Sequence, residues 1–231
     1  MKVLFVHGAL VRDGRWWWHR MTEPLARRGL STEAVDLPSC EAAFGELKDM
    51  YADVAAVSAA VAAAGEPIIL CGHSYGGAVI TDAGAGQSNV QHLIYITSVL
   101  PELGQSHADA VGAGSAPWAQ PQPDGIVVLR SDRLRELFFA DCDDPTFTEA
   151  LTRAAPQAQS AFGQPVRRVA WREVPSTYVV CAEDRAVPAA GQRVHAAKAT
   201  RTIELACGHH PFLSQPEALA QIIADSAGSP R

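Results

Sequence analysis

The apolar run Ile68-Ile69-Leu70-Cys71, breaking directly into Gly72-His73-Ser74-Tyr75-Gly76-Gly77, limits what this chain can fold into more than any other stretch. A strand-like segment that passes through Gly-x-Ser-x-Gly into a helical pattern is the sequence form of a nucleophile elbow. In that turn the chain reverses so sharply that the serine hydroxyl stands clear above the end of a sheet. Gly72 and Gly76 suit the reversal because a Cβ at either position would strike a neighbouring strand or helix, and Ser74 is expected in strained φ/ψ space.

Such an elbow needs a parallel sheet around it, and short β-rich runs do alternate with helical patterns along the chain. The predicted strands are Val3 to Val6, Ser31 to Leu37, Ile68 to Cys71, Leu93 to Thr97, Thr177 to Cys181 and Thr202 to Leu205. Between them, Trp18, Met21 and Leu25 share one helical face, as do Met50, Val54, Val57 and Val61 in an Ala-rich background. A helix follows Ser74 from Ala78 to about Ala85, and a short one follows Pro188. Ser214 and Glu217 have the spacing of a capping box before a last helix that buries Leu219, Ile222 and Ile223.

From residue 101 to 172 the alternation stops. Pro117, Pro121, Pro123, Pro145, Pro156 and Pro165 punctuate this stretch, leaving a short strand at Ile126 to Leu129 and helical runs near Arg133 to Ala140 and Thr146 to Phe162. A stretch of this length between two sheet strands reads as an inserted cap, with Trp118, Phe138, Phe139, Phe162 and Trp171 forming an apolar underside. The expected architecture is therefore α/β: a mostly parallel six-stranded sheet flanked by helices, with residues 1–100 and 173–231 as the core and 101–172 as a cap subdomain between the fourth and fifth strands.

Composition narrows the function. With 231 residues the chain can bury roughly 70–75% of the surface it exposes when unfolded, so its stability requires neither metal nor disulfide staples. The net charge of −6, from 19 basic and 25 acidic residues without a basic cluster, argues against nucleic acid or an anionic membrane as partner. Five cysteines, an odd number, read as buried hydrophobes in a reducing compartment. Val3 to Val6 is shorter than the ~7–15 apolar residues of a signal peptide, and no run approaches the ~18 of a membrane span, so a cytoplasmic protein is expected.

A serine hydroxyl is a poor nucleophile at neutral pH and needs a base, which a carboxylate in turn orients. On a sheet of this kind those groups follow in the order Ser, Asp or Glu, His, each on a loop after a strand. Ser74, Asp184 and His209 satisfy both order and placement. Asp36 precedes the serine and Glu183 should point away from Asp184, so both are weaker acids for the role. His210 abuts Pro211 and is the weaker base. His7 and His73 read as hydrogen-bonded packing, whereas His19, His92, His107 and His195 read as surface or cap residues. An oxyanion would be met by the N–H of Tyr75, the residue after the nucleophile, and by that of Ala9 in the turn after the first strand. Cys207, His209 and His210 lack the converging donors of a zinc site, and no phosphate loop or dinucleotide motif is present, so neither metal nor cofactor is expected.

Phe5-Val6-His7-Gly8-Ala9, Gly72-His73-Ser74-Tyr75-Gly76-Gly77, Cys181-Ala182-Glu183-Asp184-Arg185 and Gly208-His209 together resemble the α/β-hydrolase superfamily. Within it they look like the branch of methyl esterases, hydroxynitrile lyases and bacterial carboxylesterase relatives. By position, the resemblance implies Ser74 as nucleophile, Asp184 as acid, His209 as base, and Ala9 and Tyr75 as oxyanion donors. The lyases of that branch typically carry threonine in the first turn and lysine after the catalytic histidine. Here Gly8 and His210 stand in those places, which favours ester hydrolysis. The expected partner is a small apolar or aromatic ester. A lactone substrate, a lyase-like reaction and a ligand-sensing receptor are the alternatives, and the sequence admits a homodimer.

Overall fold

The computed structural model describes residues 1–40, 47–112, 118–129 and 132–228. Pro117 and the end of the tail at 229–231 lie outside them. Strands β1 (Lys2–Val6), β2 (Ser31–Val35), β3 (Ile68–His73) and β4 (Val90–Ile96) alternate with helices α1 (Gly14–Trp17), α2 (His19–Ala26), α3 (Met50–Ala63) and α4 (Gly76–Ala83). After β4 the chain forms α5 (His107–Val111), β5 (Ala119–Pro121), β6 (Ile126–Leu129), α6 (Leu134–Phe138), α7 (Asp144–Leu151), β7 (Gln157–Ala158) and α8 (Ser160–Gly163). It then returns through β8 (Ser176–Cys181), α9 (Ala189–Ala196), β9 (Arg201–Leu205), α10 (Pro211–Ser214) and α11 (Pro216–Ala227).

Six strands form one sheet in the order β2-β1-β3-β4-β8-β9, and every pairing is parallel. All the strands therefore end on the same rim. Both faces of the four inner strands β1, β3, β4 and β8 are buried, so their alternate side chains feed two cores, while the edge strands β2 and β9 are partly exposed. Val3 and Phe5, Ile69 and Cys71, Ile94 and Ile96, and Val179 and Cys181 pack against Trp18, Met21, Leu25, Phe212, Leu219 and Ile223. On the other face Leu4 and Val6, Ile68 and Leu70, Leu93 and Tyr95, and Tyr178 and Val180 pack against Val54, Val57, Val61, Val79 and Ile80. The Asp49 side chain caps α3 by accepting from the Ala52 N–H at 3.0 Å. No helix among the described residues is long and apolar enough to cross a membrane.

Several local expectations need correction. The helical run predicted from Thr146 to Phe162 is interrupted: α7 ends at Leu151, Pro156 interposes, and residues 157–158 pair with β6 in an antiparallel sheet of order β5-β6-β7. β5 escaped prediction among its prolines. The capping box at Ser214 and Glu217 does not form. Pro216 opens α11 with Gln215 as an N-cap whose side chain makes no capping bond and donates instead to the Ala206 carbonyl, the Ser214 hydroxyl donates to the His210 carbonyl, and Glu217 pairs with Arg27 and Arg28.

Candidate active site

The strand ends of β1, β3 and β9 converge on one cavity. Its lining includes His7, Gly8, Ala9, His73, Ser74, His209 and His210 from the sheet rim, and with its mouth it holds about 630 Å³ of atom-free space. Trp17 from α1 and Trp118, Leu129, Leu134, Phe138 and Phe139 from the stretch between β4 and β8 make the rest of its wall apolar. The Trp118 indole N–H is buried without a hydrogen-bond partner among the described residues.

Ser74 occupies the turn between β3 and α4 with φ at 52°, a left-handed conformation that costs an L-residue about 1–2 kcal/mol. The turn is held from β4, whose Ile96 carbonyl accepts the Ser74 N–H at 3.1 Å and whose following Ser98 hydroxyl donates to the Ser74 carbonyl. A Cβ on Gly72 would lie 2.8 Å from the Gly76 carbonyl oxygen, and one on Gly76 would lie 2.6 Å from that of His7. Glycine is therefore required at both positions, as the motif predicted. The Ser74 hydroxyl bonds to no described residue, leaving it open to the cavity.

Asp184 lies just past β8 and is buried with four close donors. Its Oδ1 accepts the backbone N–H groups of Ala186 at 2.8 Å and Val187 at 2.9 Å. Its Oδ2 accepts the Thr97 hydroxyl at 2.6 Å and the His209 Nδ1–H at 2.7 Å. Burial works to raise its pKa, but the adjoining His209 and these hydrogen bonds outweigh burial and hold the carboxyl below its ordinary value. Because Nδ1 donates to the carboxylate, the neutral imidazole of His209 keeps its lone pair on Nε2. The loop carrying it is braced by Asp141, whose carboxylate accepts the Gly208 N–H at 2.7 Å.

The competing carboxylates lie elsewhere. Asp36 accepts the Gly14 N–H at 2.6 Å and so anchors α1, while Glu183 is exposed. Ala9 lines the cavity, and the Tyr75 side chain turns away from it into the core, where its hydroxyl donates to Asp53 at 2.7 Å. Neither the Ala9 nor the Tyr75 backbone N–H has an acceptor among the described residues.

The remaining histidines divide between wall and core. His7 accepts the Leu37 N–H on Nε2 at 3.2 Å and bonds the Gly8 carbonyl through Nδ1. His73 donates through Nε2 to the His209 carbonyl at 2.9 Å, and His210 through Nδ1 to the Phe138 carbonyl at 2.9 Å. Burial, reinforced by the neighbouring imidazoles, holds both well below the usual histidine value. His73, His209 and His210 bring ligand atoms within 4.8 Å of one another, the one such group among the described residues that could hold a metal ion. Each already commits one ring nitrogen to a protein acceptor. Three histidines predicted for the surface or cap are better integrated than expected: His92 is buried and bonds Thr177, Leu100 donates to His195, and His107 packs on Tyr75 and Phe162. Only His19 of that set is exposed.

Residues 3–222 match the model of the Alpha/beta hydrolase family. A pyrethroid hydrolase from Sphingobium wenxiniae is 30% identical over 99% of this chain and 88% of its own length. A putative chloroplastic methylesterase 11 from Arabidopsis thaliana is 23% identical over 97% of this chain and 63% of its own. Among solved structures, that of the pyrethroid hydrolase PytH with BIF superposes with a TM-score of 0.85 at 29% identity, covering 100% of this chain and 98% of that one. These are relatives of the esterase-containing branch to which the sequence motifs pointed.

Proposed function

The chain belongs to the alpha/beta hydrolase family, and on that premise we propose that it is a serine carboxylesterase that cleaves small apolar or aromatic esters. One observation carries the reading: a buried 2.7 Å bond from His209 Nδ1 to Asp184, beside a serine held at positive φ in the wall of the same cavity. Asp184 fixes the tautomer of His209 so that Nε2 can take the Ser74 proton as Oγ attacks the ester carbonyl. The carbonyl oxygen acquires negative charge and is met by the free N–H groups of Ala9 and Tyr75. His209 then returns the proton to the departing alkoxide, leaving an acyl group on Ser74, and water activated by the same imidazole releases the acid.

The direct Ser74 to His209 hydrogen bond belongs to the substrate complex in this mechanism, since such bonds tighten when substrate binds. Residues 101–172 act as the cap, and their aromatic side chains favour apolar groups on the ester. His210 presents the unprotonated Nε2 of a neutral imidazole where the related lyases carry a cationic lysine, which supports hydrolysis over cyanohydrin cleavage.

A fluorophosphonate tests the assignment. It should add its mass to the peptide bearing Ser74 and abolish hydrolysis of p-nitrophenyl butyrate, and Ser74→Ala should abolish both labelling and turnover. Labelling at another residue with equal loss of activity would end the reading.

A further inference from the structure

Behind the cavity, a chain of buried polar groups links the two turns that carry the Ala9 and Tyr75 N–H groups. The Leu10 N–H donates to Gln157 Oε1 at 2.9 Å, and Gln157 Nε2 donates to Ser39 Oγ at 2.8 Å. The Ser39 hydroxyl donates to Asp53 Oδ2 at 2.6 Å, and its backbone N–H to Oδ1 at 2.8 Å. The Tyr75 hydroxyl closes the chain on Asp53 Oδ2 at 2.7 Å. Leu10, Gln157, Ser39, Asp53 and Tyr75 are all fully buried.

Two features are out of keeping with a role in stability alone. Asp53 has no cation among its hydrogen-bond partners, and apolar residues in place of such a buried charge are often as stable or more so. Leu10 is held at φ 62°, a conformation an L-residue avoids unless its surroundings impose it. Here the surroundings do so from the inserted stretch. The Leu10 carbonyl accepts the Ala155 N–H at 2.9 Å, the Arg12 N–H donates to the Arg153 carbonyl at 2.9 Å, and Val11 bridges Ala154 in antiparallel fashion. The turn after β1 is thus fastened to residues 153–157.

We propose that Gln157 and Asp53 are positioning residues for the oxyanion site. Gln157 fixes the peptide between Ala9 and Leu10, and with it the direction of the Ala9 backbone. Asp53 fixes the Tyr75 ring, and so the backbone from which the second N–H projects. The proposal rests on the esterase reading and extends it by making the cap segment part of the oxyanion machinery as well as of the substrate wall.

Gln157→Met and Tyr75→Phe test it, since each removes a hydrogen-bonding group with little change in volume. Removing an oxyanion donor costs ~10²–10³-fold in kcat, and displacing one should cost roughly tenfold or more. Both variants should lower kcat for p-nitrophenyl butyrate by about that factor with KM nearly unchanged. They should also weaken inhibition by an aryl trifluoromethyl ketone, which forms a tetrahedral oxyanion on the serine, by the same factor. Variants that stay folded with kcat and inhibitor affinity within about twofold of the unaltered protein overturn the proposal. So does a fall in kcat with inhibitor affinity intact, which would mean the network serves something other than the oxyanion. If Gln157→Met does not fold, Tyr75→Phe, which deletes one oxygen atom, decides the matter. Failure of the esterase reading is recognised separately, by an unaltered protein that neither turns over ester nor is labelled at Ser74.

Discussion

Asp184→Asn exchanges one oxygen for an NH₂ group, and the surroundings dictate which one. Oδ1 accepts two backbone N–H groups, from Ala186 and Val187, so the amide oxygen must take that position or leave both donors facing an NH₂. The NH₂ is then forced into the place of Oδ2, opposite His209 Nδ1 at 2.7 Å and the Thr97 hydroxyl at 2.6 Å. Two N–H groups cannot face each other there, so the imidazole moves its proton to Nε2. The nitrogen that should accept the Ser74 proton then carries one already. A wrong tautomer at a correctly placed base lowers kcat by about 10⁴, equivalent to roughly 5–6 kcal/mol of transition-state stabilisation. Stability should fall less, by about 1–3 kcal/mol, because Thr97 can rotate its hydroxyl to donate elsewhere. Initial rates on p-nitrophenyl butyrate and thermal melts measure both effects. A variant that melts normally and keeps activity within about tenfold would refute the role assigned to the carboxylate. Glu183→Gln is the control: the side chain is exposed, and its loss should leave turnover unchanged.

Two further outcomes follow from the same geometry. A Cβ at Gly8 would lie 2.9 Å from His73 Nδ1 and 3.2 Å from Ser74 Cβ, while the opposite ring nitrogen of His73 holds the His209 carbonyl. Gly8→Thr should therefore cost about 1–3 kcal/mol in overpacking and displace His209 through His73, reducing kcat sharply. Normal kinetics would show that the ring has room to move. Because His73 and His210 stay neutral in the folded chain while the unfolded chain takes up their protons below about pH 6.5, their contribution to stability is complete above that pH and is lost as pH falls below it. Asp53, raised to about 6 chiefly by burial, opposes this as the pH drops toward 4, but His7, His92, His107 and His195, lowered by burial in the same way, act with His73 and His210. Melting temperature should decline from pH 7 to pH 5, and less steeply in His210→Gln. An identical slope in the variant would refute the sign.

The elbow, the six strands and the positions of Ser74, Asp184 and His209 just past β3, β8 and β9 were legible because each announces itself locally. Alternation of apolar runs reports a buried parallel sheet, and Gly-x-Ser-x-Gly reports a backbone reversal whatever lies around it. What escaped prediction depends on partners distant in sequence. Gln157 carries no local sign that it will meet Leu10, and the pairing of residues 153–155 with 10–12 joins a turn to a stretch that read as helix. The capping box failed because Pro216 sets the start of α11 one residue beyond the spacing that Ser214 suggested. His92 read as a surface residue because one imidazole in a strand gives no hint of Thr177 on the neighbouring strand.

The two groups of residues around the cavity differ in how they could be exchanged. Most of its aromatic ceiling, from Trp118 to Phe139, comes from one uninterrupted length of polypeptide, whereas the groups proposed to react are scattered over several strand ends. A recombination event that replaced this length and stopped short of residue 153 would deliver a new ceiling in one step. The seam that begins at Arg153 marks where such a transplant must end, because beyond it the polypeptide grips the turn after the first strand.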